Sequence, residues 1–159
     1  MALAMLKKRE PSKPRTEERR SYRISDMPVA EVMTREVVTV SRDTSIKELK
    51  RLFEKHDFNS FPVVENGELI GIVTKLDFMR AFSMGIQFRV SRFFDLYAKR
   101  VGDIMRRATV SLRPDDTIER AVEYMVEFGL RSLPVVEGRK LVGIVSRGDL
   151  MDHLLVEGE

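Results

Sequence analysis

Two short segments carry residues of the right type and spacing to do chemistry: Thr74-Lys75-Leu76-Asp77 and Ser146-Arg147-Gly148-Asp149. Each sets a carboxylate three residues after a hydroxyl, directly behind an apolar run, where a strand should give way to a helix. Two chemistries fit that spacing. One is a capping box, in which the hydroxyl accepts from the helix backbone and the acid reaches back to the cap residue. The other turns the carboxylate towards a ligand, where it accepts hydrogen bonds from both hydroxyls of a ribose, as an acid does in dinucleotide-binding folds. The two are compatible in part, because the hydroxyl can cap while the carboxylate faces a cleft.

Other chemistry is thin. The chain has no cysteine, so it has no disulfide, thiolate metal site or thiol nucleophile. His56 and His153 have no acids at metal-site spacing, and no phosphate-cradling Walker loop or nucleophile-elbow pattern occurs. The expectation is a protein that binds rather than catalyses, without metal or catalytic cofactor.

The elements that must position these segments come from a duplication. Residues 29–79 align over 101–151 at a constant offset of 72 without a gap, with 17 identities in 51 positions. Phe61-Pro-Val-Val-Glu65 answers Leu133-Pro-Val-Val-Glu137, and Leu69-Ile-Gly-Ile-Val-Thr74 answers Leu141-Val-Gly-Ile-Val-Ser146. Each copy reads as a short strand (37–40 and 109–112), a capped helix, two strands joined by a tight turn, and a last helix. Ser45 with Glu48, and Asp116 with Glu119, have capping-box spacing, and Gly129 suits a helix end. Asn66-Gly67 is a two-residue hairpin turn, with Gly138-Arg139 in its place in the second copy. A unit of about fifty residues cannot bury such strands alone. The expected architecture is therefore an α/β (α+β) fold of two βαββα repeats, packed sheet against sheet around a pseudo-twofold axis.

The pattern Val32-Met33-Thr34, short strand, capped helix, Phe61-Pro-Val-Val, Leu69-Ile-Gly-Ile-Val-Thr-x-x-Asp77 resembles the CBS repeat, named for cystathionine β-synthase. The resemblance covers both copies. It implies a stand-alone regulatory module that binds adenine nucleotides (AMP, ADP, ATP) or S-adenosylmethionine in clefts between the repeats. It further implies that each site is shared: Thr74 and Asp77 with Arg131 and the stretch 105–110, and Ser146 and Asp149 with Asn59 and the stretch 33–38. Ile72 and Ile144 would lie against the adenine. Arg131 would read phosphate beside Asp77, with Arg147 nearby, whereas the Asp149 site would have neutral Asn59 and Lys75 as its cation. Gly148, in a helix's first turn, is costly for the helix and hints at close approach of a ligand.

The expected organisation is a basic tail over 1–27, a first repeat over 28–84, a connector over 85–100 that is helical in part, and a second repeat over 101–156. The tail carries eight Lys/Arg against four acids, a net +4, so the rest of the chain holds −1 of the overall +3. Such a tail could bind nucleic acid by counterion release, but its Pro11, Pro14 and mixed charges favour solvated disorder. In the connector, Phe82, Phe88, Phe93, Phe94 and Tyr97 interleave with Arg89 and Arg92, which suits packing onto the repeats better than base stacking. No apolar run reaches the ~20 residues that cross a bilayer, and the first charges follow the apolar start, the reverse of a secretory signal. A cytoplasmic homodimer acting on an unidentified regulated protein is the expectation. The alternatives are a nucleic-acid-associated protein and a dimerisation module without ligand.

Overall fold

The computed structural model describes residues 26–87, 99–107 and 110–154. Helix α1 (Ile46–Lys55) starts where Ser45, in extended conformation, accepts the Glu48 N–H at 3.1 Å. Its Ile46 and Leu49 are fully buried, and Leu52 and Phe53 pack beside them, as the helical spacing requires. A hairpin follows, β1 (Ser60–Glu65) and β2 (Glu68–Thr74), turned by Asn66 at φ 53° and Gly67 at φ 80°. Helix α2 (Lys75–Gln87) closes the first half.

The second half repeats this order. After the short helix α3 (Val101–Ile104) come α4 (Ile118–Phe128), β3 (Ser132–Glu137), β4 (Lys140–Ser146) and α5 (Arg147–Leu154). Helix α4 begins one residue later than the Asp116–Glu119 spacing implies. Its cap is Thr117, which accepts the Arg120 N–H at 3.2 Å. Asp116 is diverted: its carboxylate accepts the Arg113 N–H at 2.7 Å and pairs with Arg120 at 3.6 Å. Gly129 ends the helix at φ 63°, in the left-handed conformation anticipated for it.

The expected first strands shrink to single parallel bridges, Val40 to Val63 and Leu112 to Val135. Val40 donates to Pro62 O and accepts from Val64 N, and Leu112 does the same with Pro134 and Val136. The next rung towards residue 38 or 110 would need an N–H from Pro62 or Pro134, which proline lacks. The hairpins join into one four-stranded sheet, β1-β2-β4-β3, through the single pair Glu68–Lys140.

Two apolar cores result, and the repeats exchange their leading segments to complete them. Val29, in a 3-10 turn (Val29–Glu31), is fully buried in the core made by Leu112, Ile118, Leu133, Val135 and Val145. Val101 fills the matching place among Val40, Ile46, Leu49, Phe61 and Val73. Backbone bonds fix both exchanges: Val29 N to Asp116 O at 2.8 Å, and Val101 N to Thr44 O at 2.9 Å. Met27, assigned to the tail by composition, accepts the Ile118 N–H at 2.9 Å and packs on the second core.

Most of these contacts have a partner 72 residues away, which makes the pseudo-twofold explicit. Bridges Pro28–Thr117 and Ser45–Arg100 are mates, as are Thr34–Ile144 and Ile72–Arg106. Val63 and Val135 are both fully buried at equivalent strand positions. Residues that meet their own mates lie on the axis: Ser60 with Ser132 at 2.7 Å, and Asn59 with Arg131 at 3.1 Å. Residues 88–98 of the connector and 1–25 of the basic segment, on which the nucleic-acid alternative rests, lie outside the described residues. Phe82 continues α2 and stacks on Phe78 at 6.5 Å.

Candidate functional site

The two hydroxyl–carboxylate segments sit at the β2–α2 and β4–α5 junctions, and both make the capping box. Asp77 Oδ2 accepts the Thr74 N–H at 3.0 Å, while Thr74 Oγ1 accepts the Asp77 N–H at 3.0 Å. Asp149 Oδ2 accepts the Ser146 N–H at 2.8 Å, and Ser146 Oγ accepts the Asp149 N–H at 3.2 Å. Capping alone leaves the second oxygen of each carboxylate open, and there the halves part.

Asp149 lines a cavity of about 310 Å³ with Ser146, Ile144, Asn59 and, from the first half, Thr34, Glu36, Val37 and Val38. The leading segment reaches this cleft because Thr34 and Ile144 exchange both backbone bonds, at 2.9 and 3.0 Å. Gly143 permits that approach, since a Cβ there would lie 2.5 Å from Met33 Sδ and 3.1 Å from Thr34 O. Asp149 Oδ2 is committed to the cap, and among the described residues no side chain bonds Oδ1. The pocket therefore offers an acceptor oxygen beside a half-buried isoleucine face.

Asp77 is spent more fully. Its residue is 7% exposed, Thr74 Oγ1 adds a second bond to the carboxylate at 2.9 Å, and Arg106 Nε supplies a third, to Oδ1, at 2.9 Å. Ile72 pairs with the Arg106 backbone, and a Cβ on Gly71 would meet Arg106 O at 2.6 Å. Of the stretch expected to complete this site, residues 108 and 109 lie outside the described residues.

Arg131, expected opposite Asp77, lines the Asp149 cavity and donates to Asn59 Oδ1 at 3.1 Å. Its own carbonyl accepts the Arg147 N–H at 3.0 Å, which ties it to the start of the helix that carries Asp149. Lys75, expected as the cation of the Asp149 site, stands over the Phe53 ring at 5.9 Å. Arg147, expected near Asp77, donates Nε to Leu130 O at 2.9 Å. Gly148 is not crowded by protein: the nearest atom to an added Cβ is Ser146 Oγ at 3.7 Å.

Glu36, within the expected stretch 33–38, also lines the cavity, as do Asp57, Phe58, Pro62 and the axial pair Ser60–Ser132, which the sequence does not assign to the site. An exposed Phe58 beside Asn59 is the only signal the chain offers for them. Among the described residues no cluster of His, Asp and Glu could hold a metal ion.

With this geometry in view, comparison with known proteins is decisive. The CBS domain matches twice, over residues 29–84 and 101–156. The chain belongs to the CBS domain family. CBS domains are regulatory modules with no catalytic centre of their own. The chain is 37% identical over 126 residues to protein MJ0188 of Methanocaldococcus jannaschii, covering 77% of this chain and 42% of that protein. It is 34% identical over 123 residues to the CBS domain-containing protein YhcV of Bacillus subtilis, covering 77% of this chain and 81% of the relative. It thus spans less than half of the first relative and most of the second.

Among solved structures it is similar to MJ1225 of M. jannaschii at a TM-score of 0.73 and 25% identity, over 81% of this chain and 48% of that one. It is also similar to CBSX2 solved in complex with AMP, at a TM-score of 0.68 and 27% identity, over 79% and 93% of the two chains. A third is the CBS domain pair of MJ0100, in complex with 5′-methylthioadenosine and S-adenosylmethionine, at 0.67 and 25%, over 79% and 94%. No helix among the described residues is long and apolar enough to cross a membrane.

Proposed function

We propose that this CBS domain pair is a ligand-sensing regulatory module that binds an adenosyl compound in the Asp149 cavity. The observation that carries the reading is a capped carboxylate with one oxygen left over, facing a cleft built from both repeats. Asp149 Oδ1 accepts the ribose hydroxyls, Ile144 lies against the adenine, and Thr34 to Val38 supply backbone around it. The complexes of CBSX2 with AMP and of the MJ0100 pair with S-adenosylmethionine support the ligand class.

Charge narrows the class. Among the described residues, Glu36, Asp57 and Asp149 line the cavity against a single guanidinium, Arg131. That balance suits a monophosphate, or the cationic S-adenosyl group, better than a triphosphate, whose repulsion by three carboxylates one arginine does not offset. A ligand held by both repeats changes their relative packing only as far as it binds one arrangement more tightly, and that packing is what the regulated partner reads.

Isothermal titration of nucleotide-stripped protein tests this. AMP and S-adenosylmethionine bind more tightly than ATP. Asp149→Ala weakens adenosine and AMP alike, and Arg131→Ala weakens AMP by about tenfold or more while sparing adenosine, as loss of a charged hydrogen bond predicts. Absence of binding by any adenosyl compound refutes the reading.

A further inference from the structure

The two halves present the same backbone to their carboxylates and different side chains. Thr34 and Arg106 are mates at the offset of 72, each exchanging both backbone bonds with the isoleucine of the opposite hairpin, at 2.9 to 3.0 Å. Thr34 lines the open cavity beside Asp149. Arg106 instead places Nε 2.9 Å from Asp77 Oδ1, the oxygen whose counterpart on Asp149, a residue lining the cleft, has no side-chain partner among the described residues. Asp77's side chain is 6% exposed while Arg106's is 47% exposed, so the pair is a buried acid latched by an arginine that remains open to solvent.

Resting on the adenosyl-binding reading above, we propose that Arg106 is an internal latch on the second site. The Asp77 carboxylate has both oxygens engaged by protein, Oδ2 by Thr74 and Oδ1 by Arg106. A ligand whose hydroxyls need Oδ1 must first displace a charged hydrogen bond. The Asp149 site has no such competitor among the described residues. The two sites therefore fill in order, Asp149 first, and the Asp77 site responds only at higher ligand concentration. One chain then covers two ranges of the same ligand. Position 106, with threonine in the mate position, sets the separation between them.

The half-exposed guanidinium places the effect at the low end of the range for a charged hydrogen bond, roughly tenfold in affinity. Titration of the stripped full chain with adenosine and with AMP reads it as stoichiometry and affinity. Wild type shows one tight site per chain, lost in Asp149→Ala and kept in Asp77→Ala. Arg106→Thr brings a second site to within a few-fold of the first. The reciprocal variant Thr34→Arg, which leaves the buried Asp77 undisturbed, weakens the tight site by about tenfold. Two sites of equal affinity in wild type, or a stoichiometry unchanged by Arg106→Thr together with an unweakened Thr34→Arg, overturn the latch and leave adenosyl binding standing. Absence of binding in wild type overturns both.

Discussion

A methyl group added at Gly71 would lie 2.6 Å from the Arg106 carbonyl oxygen, in a residue whose backbone exchanges two hydrogen bonds with Ile72. At Gly148 the same methyl would meet nothing closer than 3.7 Å, in an exposed first turn of α5. The two glycines therefore answer to different physics. Gly71→Ala forces apart the seam that holds the leading segment of the second repeat, and should lower unfolding free energy by about 1–3 kcal/mol. Gly148→Ala removes only a poor helix former and should raise it by up to about 1 kcal/mol. Denaturant midpoints of the two variants check both signs. If Gly148→Ala is stable and yet binds AMP poorly, the glycine serves the ligand. The carboxylates differ on the same scale. Asp77→Ala loses a cap and a bond to a guanidinium, Asp149→Ala a cap alone. The first should cost about 1.5–3 kcal/mol and the second about 1, measured by chemical denaturation in the absence of ligand.

At the scale of elements, the exchanged leading segments make the two halves depend on each other. Val101 follows the connector, and composition assigns it to the second repeat, yet it is fully buried in the first core. Val101→Ala removes two methyl groups from that core and should cost about 2 kcal/mol. Hydrogen exchange should then show the loss in α1, β1 and β2, with β3 and β4 less affected. The opposite pattern would mean that the helix acts on its own repeat. The same exchange puts Thr34 in one cleft and Arg106 in the other, because each segment crosses to the hairpin it does not precede in the chain. Proline in β1 and β3 limits the partner segments at Val40 and Leu112 to one-residue bridges, which leaves Val37 and Val38 free to line the cavity.

For the whole molecule, the last helices leave an apolar face uncovered. Leu76 and Met79 on α2, and Met151 and Leu154 on α5, are all exposed, and Met79 and Met151 are mates at the offset of 72. Apolar surface exposed at matched positions of both repeats is suited to a second copy of the chain related by its own twofold. We propose a homodimer through this face. Equilibrium sedimentation should give a dimer at low micromolar concentration, and Met79→Glu combined with Met151→Glu should give a monomer that still binds AMP. A wild-type monomer at high micromolar concentration removes the dimer.

The duplication, the order of helices and strands, the hairpin turns and the two hydroxyl–carboxylate junctions are all legible in the chain. They follow from local rules: burial every second or every third to fourth residue, left-handed backbone at Asn66, Gly67 and Gly129, and a hydroxyl that caps its own helix. The spacing of Asp116 and Glu119 points one residue short of the cap of α4 because Asp116 and Thr117 are both good caps, and a bond to the Arg113 N–H decides between them. What each carboxylate meets beyond its cap is not local. Arg131 lies on the pseudo-twofold axis, bonded to its mate Asn59, and from there its long side chain lines the Asp149 cavity. Arg106 reaches Asp77 across 29 residues, through a pairing of Ile72 with the opposite leading segment. Sequence spacing carries the chemistry within a turn of helix or a hairpin, whereas the choice between an open acceptor and a latched one depends on which segment crosses the axis, and only the packed chain sets that.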